Sequence, residues 1–200
     1  VIEKVIEVKK ENDIFFLKTE GDKVFQSKVV IIATGAEPRR LNVLGEANYL
    51  GRGVSYCSTC DGPLFKNKEV AIIGGGDAGF ETAIFMKNYA SKIYILEQEE
   101  SVKASIDNQK KASGIEVITS ARLKEIKGDN FVNQIVFELS GKEKTLDVKG
   151  VFIQAGYIPE TSFLGDLVEL NEKKEIIVNF ETFETKTRGL FAVGDVNCGK

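Results

Sequence analysis

The chain has 200 residues, 42% hydrophobic and 28% charged, with a formal net charge of −3, a composition that describes one large globular domain or one and a half smaller ones. No apolar run approaches a bilayer span, and mixed charge without a basic stripe argues against a membrane or nucleic acid as partner. Three cysteines and no histidine fit a reducing compartment, expected to be the cytoplasm, better than a secreted disulfide scaffold, and the first residues read as strand rather than as a leader.

Val1 to Val8, Ile14 to Thr19 and Lys23 to Ser27 predict a short antiparallel meander, with turns at Glu11-Asn12-Asp13 and Glu20-Gly21-Asp22. Val29 to Ala33 is a continuous apolar run and predicts a strand buried on both faces. It stops at Thr34-Gly35-Ala36, where small residues would let a flat ligand approach the backbone, although an ordinary glycine turn would read the same. Residues 37–56 hold Pro38, Gly45, Gly51 and Gly53 with few periodic apolar positions, which predicts a crossing segment or linker rather than a packed element.

Cys57-Ser58-Thr59-Cys60-Asp61-Gly62 carries the most chemistry in the chain. Two thiols separated by two residues can close a small disulfide, and a helix start or nearby cation can make one of them nucleophilic at neutral pH. Asp61 follows directly as the natural proton donor or acceptor. Zinc competes poorly for this motif, because a closed site needs four nitrogen or sulfur ligands and only Cys198 remains. Two buried cysteines without chemistry is the other reading, since free cysteine packs as a small hydrophobe.

Glu69 to Ile73 predicts an apolar strand, followed at once by Gly74-Gly75-Gly76-Asp77-Ala78-Gly79 and a helix to about Tyr89. Gly74, Gly76 and Gly79 satisfy the GxGxxG spacing: a tight turn, a close approach for a pyrophosphate, and close packing of helix on strand. A second strand at Lys92 to Leu96 supplies the context that a dinucleotide turn requires, whereas the glycines alone could be structural. That strand ends at Glu97, where an acidic side chain usually takes ribose hydroxyls, about 20 residues beyond the turn. With Gln98, Glu99 and Glu100 beside it, and no cation nearer in sequence than Lys92 or Lys103, charge favours NADH over NADPH; a solvated acidic loop is the alternative.

Lys103 to Ala112 predicts a second helix and Ile115 to Ile118 a third parallel strand. Residues 121–148 predict a second meander, and Gly150 to Gln154 a last buried strand that closes at Ala155-Gly156 with Pro159 soon after, a second crossing point. Glu175 to Val178 and Leu190 to Val193 predict two further strands. The latter ends in Gly194-Asp195, which suits the hydroxyls of a ligand's sugar or polyol, while nothing near Cys198 marks it for redox work.

In this order, Ala33-Thr34-Gly35-Ala36, Cys57 to Gly62, Gly74 to Gly79, Val151 to Pro159 and Gly189 to Val196 resemble the low-molecular-weight thioredoxin reductases and the flavoprotein subunit of alkyl hydroperoxide reductase. The resemblance implies an α/β fold in which a Rossmann-like three-layer nicotinamide domain with an antiparallel meander is inserted between partial strands of an FAD-binding domain. Residues 1–36 and 161–200 would be the FAD-domain pieces, and 37–160 the NAD(P)-binding domain carrying the CxxC. It implies that Cys60 faces the flavin, that Cys57 attacks the disulfide of a thioredoxin-like or peroxidase-linked partner, and that Asp61 protonates the departing thiolate. Thr34, Gly35 and Ala36 would lie near FAD, Asp195 near its ribityl or pyrophosphate, and the complete protein would be a homodimer.

Two departures qualify the resemblance. Relatives that use NADPH carry a His-Arg-Arg run where this chain has Glu97-Gln98-Glu99, which turns the expectation to NADH, or to ferredoxin as donor. The family's own first glycine-rich turn and its last helix are not in these residues, so the chain is expected to be part of a longer protein and to hold FAD weakly or not at all. A non-catalytic NAD-binding module whose CxxC senses redox state is the alternative from another class.

Overall fold

Asn12 and Asp13 both take positive φ, 45° and 66°, the conformation a two-residue hairpin needs and one that Asn and Asp tolerate. In the computed structural model they join β1 (Val5–Glu11) to β2 (Ile14–Thr19), and β3 (Val24–Ser27) completes an antiparallel sheet in the order β1-β2-β3. The structure describes residues 2–199, so Val1 of the expected first strand lies outside the described residues. β4 (Val30–Ile32) follows, then β5 (Ala36–Pro38).

Next come β6 (Val54–Ser55), α1 (Ser58–Asp61), β7 (Glu69–Ile73), α2 (Asp77–Met86), β8 (Lys92–Leu96), α3 (Ile106–Lys111) and β9 (Glu116–Ile118). β10 (Ala121–Gly128), β11 (Val132–Leu139) and β12 (Lys142–Asp147) form the second meander, followed by β13 (Gly150–Ile153), β14 (Tyr157–Pro159) and β15 (Leu190–Ala192). The chain divides into two compact units, Val1–Glu37 with Tyr157–Lys200, and Pro38–Gly156. These bounds fall a few residues inside those read from sequence at 160.

In the first unit β4 and β15 pair in parallel, and Val30, Ile32, Leu190 and Ala192 pack with Val8, Phe15 and Leu164 in one core. β4 is not buried on both faces as its composition predicts: Ile31 is 63% exposed and Val29 is also exposed. A pleated strand turns alternate side chains to opposite faces, and only the Val30 and Ile32 face is covered here. The strand expected at Glu175 to Val178 is also absent, since Ile176 makes only isolated bridges to Leu170 and Asn197. Its apolar residues are buried as single anchors instead.

The second unit has three layers around a five-stranded parallel sheet in the order β6-β13-β7-β8-β9. Alternation along each strand builds the layers. Val70 and Ile72 of β7, with Ile93 and Ile95 of β8, pack on Phe80, Ala83 and Met86 of α2. Ala71, Ile73, Tyr94 and Leu96 point the other way and meet Leu123, Ile126, Ile135 and Phe137 of the second meander. Both faces are covered, which explains the nearly unbroken apolar runs of β7, β8 and β13.

Residues 38–56 are not the loose linker expected from their glycines. Leu41, Val43, Tyr49 and Tyr56 pack against the meander-side core, and β6 joins the parallel sheet. The Tyr49 hydroxyl donates to the Gly128 carbonyl. Gly45 is needed for close contact, because a Cβ there would stand 2.0 Å from the Ile126 carbonyl oxygen.

Candidate functional site

All five strands of the parallel sheet run the same way, so the residues following them gather at one edge. Tyr56-Cys57 follow β6, Gln154 follows β13, the glycine turn follows β7, and Glu97 follows β8. The order of strands reverses at β7, whose chain continues to β8 on one side while β13 lies on the other. Such a switch point opens the crevice where α/β sheets take ligands. The sheet therefore puts the cysteine motif and the glycine turn on a common edge.

Cys57 and Cys60 form a disulfide with Cα atoms 5.3 Å apart. Cys57 is the N-cap of α1: its Sγ accepts the Cys60 N–H at 3.2 Å and lies 3.4 Å from Thr59 Oγ1. Cys57 is half-buried whereas Cys60 is exposed. Asp61 closes α1, and its Oδ2 accepts a 2.6 Å hydrogen bond from the hydroxyl of Ser55, a residue only 4% exposed on β6. Ser58 Oγ stands 3.4 Å from Thr82 Oγ1 and so sets α1 beside α2.

Immediately before the motif, Tyr56 donates from its hydroxyl to Glu46 Oε1, and its carbonyl lies 3.3 Å from Gln154 Nε2 as acceptor. Glu46 is 4% exposed and also accepts the backbone N–H groups of Leu41 and Val43. Three donors satisfy a carboxylate that burial would otherwise penalise. Burial first, then the Glu46 carboxylate, pushes the Tyr56 phenol up to about 12. A raised folded pKa means that this contribution is complete below the ordinary value of 10.0 and is lost as the pH rises towards 12. Urea midpoints measured from pH 8 upward should therefore fall above pH 10, and Glu46→Gln should cost about 1–3 kcal/mol at neutral pH.

Gly74 takes φ +125°, and a Cβ on it would lie 2.3 Å from the Gln154 carbonyl oxygen. At Gly79 a Cβ would come within 1.9 Å of the Gly74 carbonyl oxygen, so α2 can meet β7 only through glycine. Nothing lies within 4 Å of the corresponding point at Gly76, which leaves open space over the backbone. These three positions fit the demands of a dinucleotide turn. Gly75 N–H donates to Glu97 Oε2 at 2.6 Å, and Glu97 Oε1 accepts the Glu99 N–H at 2.9 Å. Glu97 thus braces the turn it was expected only to accompany, while Gln98 is exposed beside it.

Asp77 opens α2, and its Oδ1 accepts from Ser105 N–H and Asn108 Nδ2, each at 2.8 Å. The Ser105 amide, the Ser105 hydroxyl and Asn108 hold its carboxyl below the ordinary value. Ala78 is exposed in the same first turn. The backbone N–H groups of Lys103 and Ala104 donate to the Gly75 carbonyl at 2.9 and 3.1 Å. Lys103, distant in sequence from the glycines, therefore has its backbone against the turn, a proximity that sequence spacing did not reveal.

In the first unit, parallel pairing of β4 with β15 brings together the residues that follow them. Thr34 is exposed, with its hydroxyl on the Glu160 carbonyl at 3.3 Å, and Gly35 and Ala36 are half-buried. Val193 N–H donates to the Ile32 carbonyl, and exposed Gly194 and Asp195 follow. The open carboxyl ends of these two strands fit one side of a flat cofactor with hydroxyl groups. Gly156, with φ +93°, ends the second unit at the crossing strand rather than joining either group.

Among the described residues, no group of three or more His, Cys, Asp or Glu could hold a metal ion, and no helix is long and apolar enough to cross a membrane. Fold and site define a Rossmann-type α/β protein with a CxxC disulfide on the same sheet edge as its glycine turn. The sequence profile described as pyridine nucleotide-disulphide oxidoreductase matches residues 1–200, and the chain belongs to that family. A curated relative, an alkyl hydroperoxide reductase of Staphylococcus aureus (strain MRSA252), is 40% identical over 195 residues, covering 95% of this chain and 38% of the relative.

Two solved thioredoxin reductases share the fold. The Lactococcus lactis structure, in its FR conformation, matches with a TM-score of 0.84 at 34% identity, covering 99% of this chain and 67% of its own. The T. acidophilum structure matches with a TM-score of 0.84 at 38% identity, covering 98% and 66%. The chain thus spans 38% of the length of the curated relative.

Proposed function

We propose that the chain is the electron-transfer segment of a flavin-dependent disulfide reductase in which electrons pass from NADH through FAD to the Cys57–Cys60 disulfide and on to a protein disulfide. The observation that carries this reading is the shared sheet edge, with the disulfide after β6 and the glycine turn after β7. The second unit is the nicotinamide-binding domain, and the first unit contributes part of an FAD-binding domain. Gly74, Gly75, Gly76 and Gly79 would hold the dinucleotide pyrophosphate, with the first turn of α2 at Asp77 and Ala78 beneath it. Thr34, Gly35, Ala36, Gly194 and Asp195 would hold one side of FAD. When bound there, NADH and FAD supply the electron pair.

Cys60, the exposed sulfur, faces the flavin in this reading, and Cys57 attacks the partner's disulfide. The Cys60 N–H and Thr59 hydroxyl around Cys57 Sγ suit a sulfur that must carry negative charge. Asp61 provides the proton for the departing thiolate. The partner is a thioredoxin-like or peroxidase-linked protein, and the complete enzyme is a homodimer working in the cytoplasm. The crossing strands β5 and β14, which pair with one another, act as hinges that let the nicotinamide and the disulfide take turns at the flavin.

NADH is preferred because Glu97, Gln98 and Glu99 would meet a 2′-phosphate with carboxylates. The test is anaerobic stopped-flow absorbance of the complete flavoprotein mixed with NADH, NADPH or reduced ferredoxin. NADH should bleach the flavin fastest and generate two thiols from the Cys57–Cys60 disulfide. Faster bleaching by NADPH would overturn the cofactor preference, and reduction by ferredoxin alone would replace the donor. Bleaching without new thiols would remove the disulfide from the path.

A further inference from the structure

We propose that Ser55 is the positioning residue of the dithiol site, holding the Asp61 carboxylate and the Cys57 backbone in one arrangement while Asp61 gains and loses its proton. The inference rests on the disulfide-reductase reading and goes beyond it by assigning a residue outside the CxxC motif. Ser55 belongs to β6, the edge strand of the parallel sheet, and is in register with Phe152 of β13. It is buried, so its hydroxyl must find partners in the protein rather than in water.

Those partners surround the motif. Ser55 Oγ accepts the Cys57 N–H at 3.0 Å, and two acceptors lie within its reach: Asp61 Oδ2 at 2.6 Å and the Cys57 carbonyl at 3.2 Å. A hydroxyl has one proton to donate and two lone pairs with which to accept. With Asp61 ionised, Ser55 donates to Oδ2. With Asp61 protonated at Oδ2, the carboxyl donates to Ser55 Oγ, and the serine proton turns to the Cys57 carbonyl. Either state is fully hydrogen-bonded without movement of a heavy atom. The sheet thereby fixes the acid relative to Cys57 throughout the cycle.

The reaction balances as follows. The Cys57 thiolate bonds to one partner sulfur as the partner's S–S bond breaks, and the departing partner thiolate takes a proton from Asp61. The Cys60 thiol then loses its proton to Asp61, and its thiolate attacks Cys57 Sγ in the mixed disulfide. The Cys57–Cys60 bond re-forms, and the second partner sulfur leaves and takes up the proton first lost from Cys57. Two electrons and two protons have moved from the dithiol to the partner, and Asp61 ends as it began. Ser55 takes no electron and touches no reacting sulfur.

The experiment exploits the leaving group. The thiolate released from 5,5′-dithiobis(2-nitrobenzoate) is stable without protonation, whereas that released from hydroxyethyl disulfide needs an acid. The full chain, reduced anaerobically and freed of reductant, is mixed with each disulfide in single turnover. Ser55→Ala should slow the hydroxyethyl disulfide reaction roughly 10- to 100-fold while the aromatic disulfide reacts within about 2-fold of the unaltered chain. Equal slowing with both disulfides would mean a merely structural role and overturn the inference, as would no slowing with either.

If Ser55→Ala does not fold, Ser55→Thr and Ser55→Val compare the hydroxyl at nearly matched shape, with the same selective loss expected for valine alone. Cys57→Ser separates this inference from the reading beneath it, since there the reaction with both probes must depend on Cys57. A Cys57→Ser chain that still reacts normally with both would remove the reductase assignment itself, and with it any role for Ser55.

Discussion

Cys57→Ser in the complete flavoprotein should lower turnover of a protein disulfide on the order of 10³-fold or more, because a nucleophile acting as part of a unit has no substitute. NADH should still bleach the flavin in this variant, since hydride delivery does not need the cysteine pair. The partner variant sharpens the result. Cys60→Ser leaves Cys57 able to attack but removes the sulfur that resolves the mixed disulfide, so a covalent adduct with the partner should accumulate and be visible on a non-reducing gel. An adduct formed on Cys60 in Cys57→Ser, and none on Cys57 in Cys60→Ser, would reverse the proposed order of the two sulfurs. Such a reversal is physically distinct, since Cys60 is the more exposed residue and Cys57 the more hydrogen-bonded one.

Gly79→Ala is the second large effect. The added Cβ would sit 1.9 Å from the Gly74 carbonyl oxygen and 3.0 Å from its carbon, both backbone atoms that no side-chain rotation can remove. Either α2 lifts from β7 or the turn at Gly74 deforms, and overpacking of this kind costs about 3 kcal/mol. In a unit of this size that corresponds to a fall in Tm of roughly 10 °C, measurable by calorimetry. Nucleotide binding should be lost with it. Gly76→Ala is the informative contrast, because its Cβ would meet nothing within 4 Å. That variant should keep its Tm and lose affinity for NADH alone, since only a bound pyrophosphate would meet the new methyl group. Loss of Tm in Gly76→Ala, or its retention in Gly79→Ala, would contradict the division of labour between the two glycines.

What was legible in the sequence was local. The CxxC spacing allowed a disulfide because three residues of one helical turn bring two sulfurs together, and Cys57–Cys60 is closed. The glycine turn was legible because strand, turn and helix are consecutive, and the hairpin at Asn12-Asp13 because both residues tolerate positive φ. The apolar runs of β7 and β8 predicted a sheet covered on both faces, as it is. The same reasoning failed at Val29 to Ala33, since an apolar run cannot show which of its faces a neighbour covers, and Ile31 stands exposed.

The sequence by itself determined the chemistry available: two sulfurs, a carboxylate beside them, and a glycine turn with an acidic strand end. Only the tertiary structure decided what supports that chemistry. β6 is two residues long and gives no periodic signal, yet its pairing with β13 puts Ser55 beneath Asp61 and Cys57 and carries the motif to the edge shared with the glycines. Glu46 became a buried brace for Tyr56, and Lys103 a neighbour of Gly75, through contacts that cross many residues of chain. The physical reason is that backbone geometry fixes relations over a few residues, whereas relations between distant segments depend on strand order and on which surfaces the packing encloses.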